Sequence, residues 1–155
     1  MDEPKQIVAA GYDAVGSGAT RWLLIRGRGE RPLAARIDPA AISAHGSSKR
    51  PSVERGDLAI LYAAVWQALY GVVEVVGDPE NDPTRDRWSW RFAIRPLAVV
   101  ADLHDAPPVE AAGAFPQSIW RHSHIRLTEE QFSEARRLVE AAARPVRPLQ
   151  QTVAK

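Results

Sequence analysis

A β-rich α+β barrel with a C-terminal helix is the fold this sequence predicts, and three observations predict it. Two apolar runs of strand length, Leu58 to Tyr62 and Val72 to Val76, are set off by Gly56-Asp57 and by Gly77-Asp78-Pro79. Short apolar runs bounded by turn residues read as buried strands, and the second is dense in β-branched residues that fit a pleated surface. The segment between them, Ala63 to Tyr70, carries Trp66 and Tyr70 and reads as a connection too long for a tight hairpin, an aromatic loop at the mouth of a barrel. Beyond Thr128 the apolar residues recur at helical spacing, giving a closing helix with one packing face.

Taken in order, residues 1–20 form an N-terminal extension crowded with Gly11, Gly16 and Gly18, a loop-like composition. Its phrase QIVAAGYDAV resembles the leader of some S-adenosylmethionine-dependent methyltransferases. Gly27-Arg28-Gly29 follows the next strand without the helix-opening pattern such a cofactor loop requires, so no cofactor is expected. Arg21 to Arg26 is a first strand, apolar at its centre. Asp38 and Pro39 then cap and open a short helix over Ala40 to Ala44, and His45 to Ser52 is a polar, basic loop. After the strand pair, Glu80 to Arg87 is an acidic turn region. Trp88 to Ile94 alternates as a strand, with Leu97 to Val100 as its continuation or another strand, and Val109 to Ala114 is a weak helix or turn. Thr128 and Gln131 form a capping box, and Glu129 and Glu130 suit the positive helix start. Phe132, Ala135, Leu138, Val139 and Ala142 share the packing face, and Arg144-Pro145 ends the helix. The domain therefore spans residues 21–144, followed by a tail over 145–155.

At 155 residues the chain has room for one core. No apolar run approaches the roughly 18 residues of a membrane span. The start lacks a signal peptide's basic-then-apolar order, so a cytoplasmic address is expected. Without cysteine there is neither a disulfide framework nor a thiolate zinc site. The net charge of +1 hides an asymmetry: residues 21–55 hold eight basic side chains against three acidic, and residues 74–110 hold eight acidic against four basic. A basic half set against an acidic half favours a directional anionic partner; a solvated surface with clustered charge is the other reading.

The order of these parts resembles the EVE family, within the PUA-like superfamily that also holds YTH and ASCH domains. The carrying motifs are the aromatic strand Arg21-Trp22-Leu23-Leu24, then GDL (Gly56 to Leu58) leading a strand that ends in Tyr62. GVVEVV (Gly71 to Val76) follows with its Asp78-Pro79 turn, then the tryptophan-bearing strand from Arg87 to Arg95. The match ends with Arg121, Ser123, Ile125-Arg126-Leu127 and the Thr128 to Phe132 helix start. It covers roughly Arg21 to Ala143. Where typical members carry an RNYQARN-like segment before GDL, this chain has HGSSKRPSVE. The resemblance implies a PUA-like mixed β-barrel of about five to six strands flanked by short helices and a C-terminal helix. It also implies a non-catalytic reader of DNA or RNA that accepts a modified base in an aromatic pocket, as YTH relatives accept a methylated adenine.

A displaced base needs flat π-surfaces to stack on and polar groups to read its edge. Five tryptophans, Trp22, Trp66, Trp88, Trp90 and Trp120, offer the surfaces. Tyr62, Ser43 and Ser118 complete the expected base pocket, with Ser47, Ser48, Gln67 and Ser123 as further donors and acceptors. Core packing is the competing reading for each indole except Trp66, whose place between strands puts it near a ligand mouth. If Trp88 and Trp90 share a strand, they face one side of it. Lys49 and Arg50 form one cationic cluster, and Arg121, His122, His124 and Arg126 another; both are expected to contact phosphates. His122 and His124 could begin a metal site, but no third ligand is patterned and no metal is expected. Two other function classes stay open. An ASCH-like hydrolase or ribonuclease would use Lys49 near the barrel mouth, and a protein-interaction module would dock through Trp66 and the tail. No G-x-S-x-G nucleophile elbow is present.

Overall fold

The computed structural model describes residues 20–114, 116–119 and 122–143. Its strands are β1 (Arg21–Arg26), β2 (Ala44–Ser47), β3 (Leu58–Ala63), β4 (Ala68–Val75), β5 (Glu80–Asn81), β6 (Trp90–Val99) and β7 (His124–Arg126). The helices are the single turn α1 (Pro116–Ile119) and α2 (Glu129–Ala143). Among the described residues, one mixed seven-stranded sheet runs in the order β2-β6-β4-β3-β1-β7, with β5 paired to β6 beside it. β1 and β3 are parallel, from Arg21 opposite Leu58 to Arg26 opposite Ala63, and the other pairings are antiparallel.

Every residue of β3 is buried, and β4 is buried except at Glu74. Such continuous apolar runs need cover on both faces, and α2 supplies it on one side by packing against β4, β6, β3 and β1. The capping box forms as expected: Gln131 N donates to Thr128 Oγ1 and Thr128 N to Gln131 Oε1, both at 3.0 Å. Phe132, Ala135 and Val139 of the expected stripe are buried, and Leu138 and Ala142 lie at its margin.

Four sequence expectations need correction. The helix expected over Ala40 to Ala44 is a shorter 3-10 turn, Pro39–Ala41. Asp38 caps it at 3.0 Å, but the chain is already extended at buried Ile42. The loop expected from His45 begins as β2, laddered to β6 from Ala44 opposite Ala93 to Ser47 opposite Trp90. Its inward residues are polar, so alternation was present without the usual apolar signal. The connection from Ala63 to Tyr70 is a tight hairpin turning over residues 64–67, closed by Gln67 N to Ala63 O at 2.8 Å. Val65 and Gln67 there adopt φ of 76° and 56°. Finally, Trp88 lies outside β6 with φ of 52°, so it and Trp90 are not alternate residues of one strand. β6 continues through Pro96, and the register slips where Val72 faces Ala98 and Val73 faces Pro96. The bulge accommodates a proline that has no N–H for the ladder.

Gly71 at the centre of β4 is demanded by its neighbour across the sheet. A Cβ there would lie 2.7 Å from Leu61 Cδ1 and 3.1 Å from Leu61 Cγ. Overpacking of this kind costs about 1–3 kcal/mol. Urea denaturation of Gly71→Ala is expected to show that loss. In a Leu61→Ala background, where the crowding methyls are gone, adding the same change should cost measurably less.

Candidate nucleic-acid interface

β2 and β7 are the two ends of the sheet order, and side chains rather than a backbone ladder bring them together. His45 spans the junction: its Nε2 lies 2.8 Å from Ser123 O, and its Nδ1 lies 3.3 Å from Arg26 Nη1. A carbonyl only accepts, so Nε2 carries the proton and Nδ1 accepts from the guanidinium. The same Arg26 nitrogen donates to Ala44 O at 2.9 Å, pinning β2 a second time. Burial holds the His45 pKa down to about 3, and the charge of Arg26 adds to the effect. His124 and Arg91 push the same way, against the pull of the Ser123 carbonyl. The closing imidazole is neutral.

Next to it runs a chain of hydroxyls. Ser123 Oγ donates to Ser47 Oγ at 3.3 Å and lies 2.8 Å from His124 Nδ1. Ser47 Oγ in turn accepts from Lys49 N at 3.4 Å. This network places the Lys49-Arg50 segment beside the His122 to Arg126 segment, which lies more than seventy residues away in sequence. Lys49, Arg50, His122 and Arg126 are exposed, and His124 is half-buried. Burial lowers the His124 pKa, with the charge of His122 as the second cause.

The indoles divide into two groups. Trp88 and Trp90 are half-exposed and flank β2. Trp90 faces Ser47 across the ladder, and the Arg50 guanidinium lies 5.6 Å from its ring centroid. The Trp88 ring has two guanidinium groups over it, Arg28 at 4.6 Å and Arg87 at 4.4 Å. Gly46 makes this seat possible, because a Cβ at that position would stand 2.9 Å from Trp88 Cβ. The other two described indoles, Trp22 and Trp66, are each hydrogen-bonded through Nε1. Trp22 is buried, its Nε1 donates to Asp57 Oδ2 at 2.8 Å, and His124 and Arg126 cover its ring at 5.4 Å each. Trp66 donates to Leu33 O at 2.9 Å, sets its ring edge-on to His104 at 5.0 Å and packs against the core.

Among the other expected pocket residues, Tyr62 is buried in β3, and burial followed by the Glu110 charge raises its pKa. Ser43 is exposed and uses its carbonyl to accept from Ile94 N at 3.0 Å. Ser118 is exposed on α1, and Ser48 and Gln67 are also exposed. Trp120 and Arg121 lie outside the described residues. An open groove of about 710 Å³ runs from Arg50 along residues 51–55 to Asp78 and Pro79, so Arg50 borders both it and Trp90. Sequence reasoning missed Arg28, Arg87, Arg26 and His45. The Arg87-Trp88 doublet was a visible signal for one of them. Nothing in the sequence pairs Arg28 with Trp88.

No protein-family model and no curated protein sequence matches the chain. Among solved structures, the NMR structure of Rpa0253 from Rhodopseudomonas palustris is similar with a TM-score of 0.52 and 16% identity, over 80% of this chain and 93% of that one. Protein Atu2648 from Agrobacterium tumefaciens has a TM-score of 0.49 and 20% identity, over 84% of this chain and 99% of that one. Human THYN1, solved in complex with 5-methylcytosine-containing DNA, has a TM-score of 0.49 and 12% identity, over 79% of this chain and 98% of that one. The similarity to Rpa0253 is one of fold: a curled mixed sheet with a helix at the C-terminal end.

Proposed function

We propose that this protein binds nucleic acid on the face formed where β2 meets β7, with phosphates at Lys49, Arg50, His122 and Arg126 and bases at Trp88 and Trp90. The observation that carries the reading is the meeting of two sequence-distant cationic segments through the Ser47–Ser123 bond, beside two arginine-covered indoles. Cations near phosphates supply affinity without sequence preference, and half-exposed indoles supply stacking area. The finer reading, acceptance of a modified base, is supported by the EVE-like motifs. Of the described indoles, Trp66, Trp88 and Trp90 present area to solvent, and Trp88 and Trp90 are the two with arginines over their rings. Trp22 does not serve as a stacking surface, because its ring is enclosed.

Binding is expected to weaken with salt. If two phosphates are neutralised, log K should fall with log salt with a slope of about −1.4 for a single strand or −1.8 for duplex DNA. Fluorescence-anisotropy titrations from low to moderate salt measure the slope, and Lys49→Ala combined with Arg50→Ala should flatten it. An affinity indifferent to salt, in parent and variant alike, would remove the electrostatic basis of the assignment. A modified and an unmodified oligonucleotide of one sequence, compared at fixed salt, test the finer reading.

A further inference from the structure

We infer that the partner at this face is single-stranded, an inference that rests on the nucleic-acid reading and specifies its substrate class. The Trp88 and Trp90 platforms are built of flat groups already brought together: indoles with guanidinium groups 4.4–5.6 Å from their centroids. Indole and guanidinium planes both take a nucleobase by its face. In a duplex those faces are occupied by neighbouring base pairs, and only an unpaired strand offers them without unstacking.

The charge around the platforms agrees. Among the described residues neither Arg50 nor Arg87 forms an ion pair, and the one at Arg28 is a 3.8 Å contact with exposed Glu30. Their charges rest over π-surfaces and remain available to phosphate. The cationic footprint is also narrow. Glu80 is on β5, which pairs with β6 opposite Arg91, and Asp86 is exposed next to Arg87 in sequence. A duplex is a stiff rod with one charge per roughly 1.7 Å of axis, and it would carry phosphates across those carboxylates. A flexible strand can follow the short path over Trp88 and Trp90.

Trp88 is seated close against β2. It sits at φ of 52°, an uncommon conformation for a bulky residue, and is pressed against Gly46. A preset platform loses little freedom on binding.

The test titrates the full chain at low salt with fluorescein-labelled twelve-nucleotide oligo-dT, oligo-rU and a twelve-base-pair duplex. The expected result is that at least one single strand binds tenfold or more tightly than the duplex, and that Trp88→Ala weakens it about 5- to 150-fold, the range for loss of one stacked base. Arg87→Gln, an exposed change that leaves the Gly46 contact alone, should also weaken it and covers the case in which Trp88→Ala does not fold. Duplex binding as tight as or tighter than single-strand binding would overturn the inference and leave the nucleic-acid reading standing. Binding of no oligonucleotide at low salt would overturn that reading itself. Single-strand binding unchanged in a folded Trp88→Ala protein and in Arg87→Gln would also refute the inference.

Discussion

Asp57→Ala is expected to destabilise the protein by about 3–5 kcal/mol, because one buried carboxylate serves three donors. Asp57 Oδ2 accepts from Trp22 Nε1 at 2.8 Å and from Glu54 N at 3.0 Å, and Oδ1 accepts from Thr20 N at 3.2 Å. The residue is 5% exposed, so water does not replace what is lost. Donors left unsatisfied in the interior cost about 1–3 kcal/mol each and do not add fully. For a chain of this length the change corresponds to a fall in Tm of roughly 6–20 °C, readable by thermal unfolding. Asp57→Asn keeps one oxygen acceptor and should lose less. If Asp57→Ala unfolds with the parent, the carboxylate does not tie the start of β1 to the loop before β3.

The second expected result is a loss of stability in acid that depends on His45. Its folded pKa is lowered from 6.5 to about 3. Between those values the unfolded chain binds a proton that the native chain refuses. The contribution is therefore complete above about pH 6.5, declines as pH falls and is gone near pH 3. A shift of that size is linked to at most about 5 kcal/mol. The groups facing the ring explain the refusal: Arg26 from β1, Arg91 from β6 and His124 from β7 are all potential cations. A proton on Nδ1 would also turn the bond from Arg26 into two donors in opposition. His124, whose pKa is lowered too, contributes in the same direction, so the informative quantity is a difference. Chemical denaturation of parent and His45→Gln from pH 7 to pH 4 should give curves that converge as the pH falls. Curves that remain parallel would mean that the imidazole is not held neutral at the junction.

What could be read from the residues was whatever showed itself as apolar periodicity or capping chemistry. β1, β3, β4 and α2 emerge that way, down to the Thr128–Gln131 box. Gly56, Asp57 and Gly71, which entered as parts of motifs, acquire physical reasons. Gly56 takes φ of 96°, Asp57 collects donors, and Gly71 makes room for Leu61. β2 escaped because its inward residues, His45 and Ser47, are polar and are satisfied by groups distant in sequence. Trp66 was placed by the length of a loop, whereas its bond to the Leu33 carbonyl joins positions that no local pattern links. The Trp88 site was half legible. Its neighbour Arg87 is in the sequence, but the left-handed backbone and the approach of Arg28 arise only in the folded chain. In each case, what was hidden is a contact between polar groups that no local rule pairs.

The position of β1 bears on how the chain is made. As the first described strand it lies between β3 and β7, and its partner across the second edge, from Trp22 opposite Arg126 to Leu24 opposite His124, is the last described strand. During synthesis β1 can dock on β3 soon after Ala63 has left the ribosome. Its other edge, with Trp22-Leu23-Leu24 along it, then stays bare until some sixty further residues have emerged. An apolar strand edge with unpaired amides is a template for a neighbouring nascent chain, and pairings of high sequence separation form slowly. The interval before β7 arrives is thus one in which that edge is open to such pairing. A ribosome stalled upstream of Ile125 would present that edge without its natural cover.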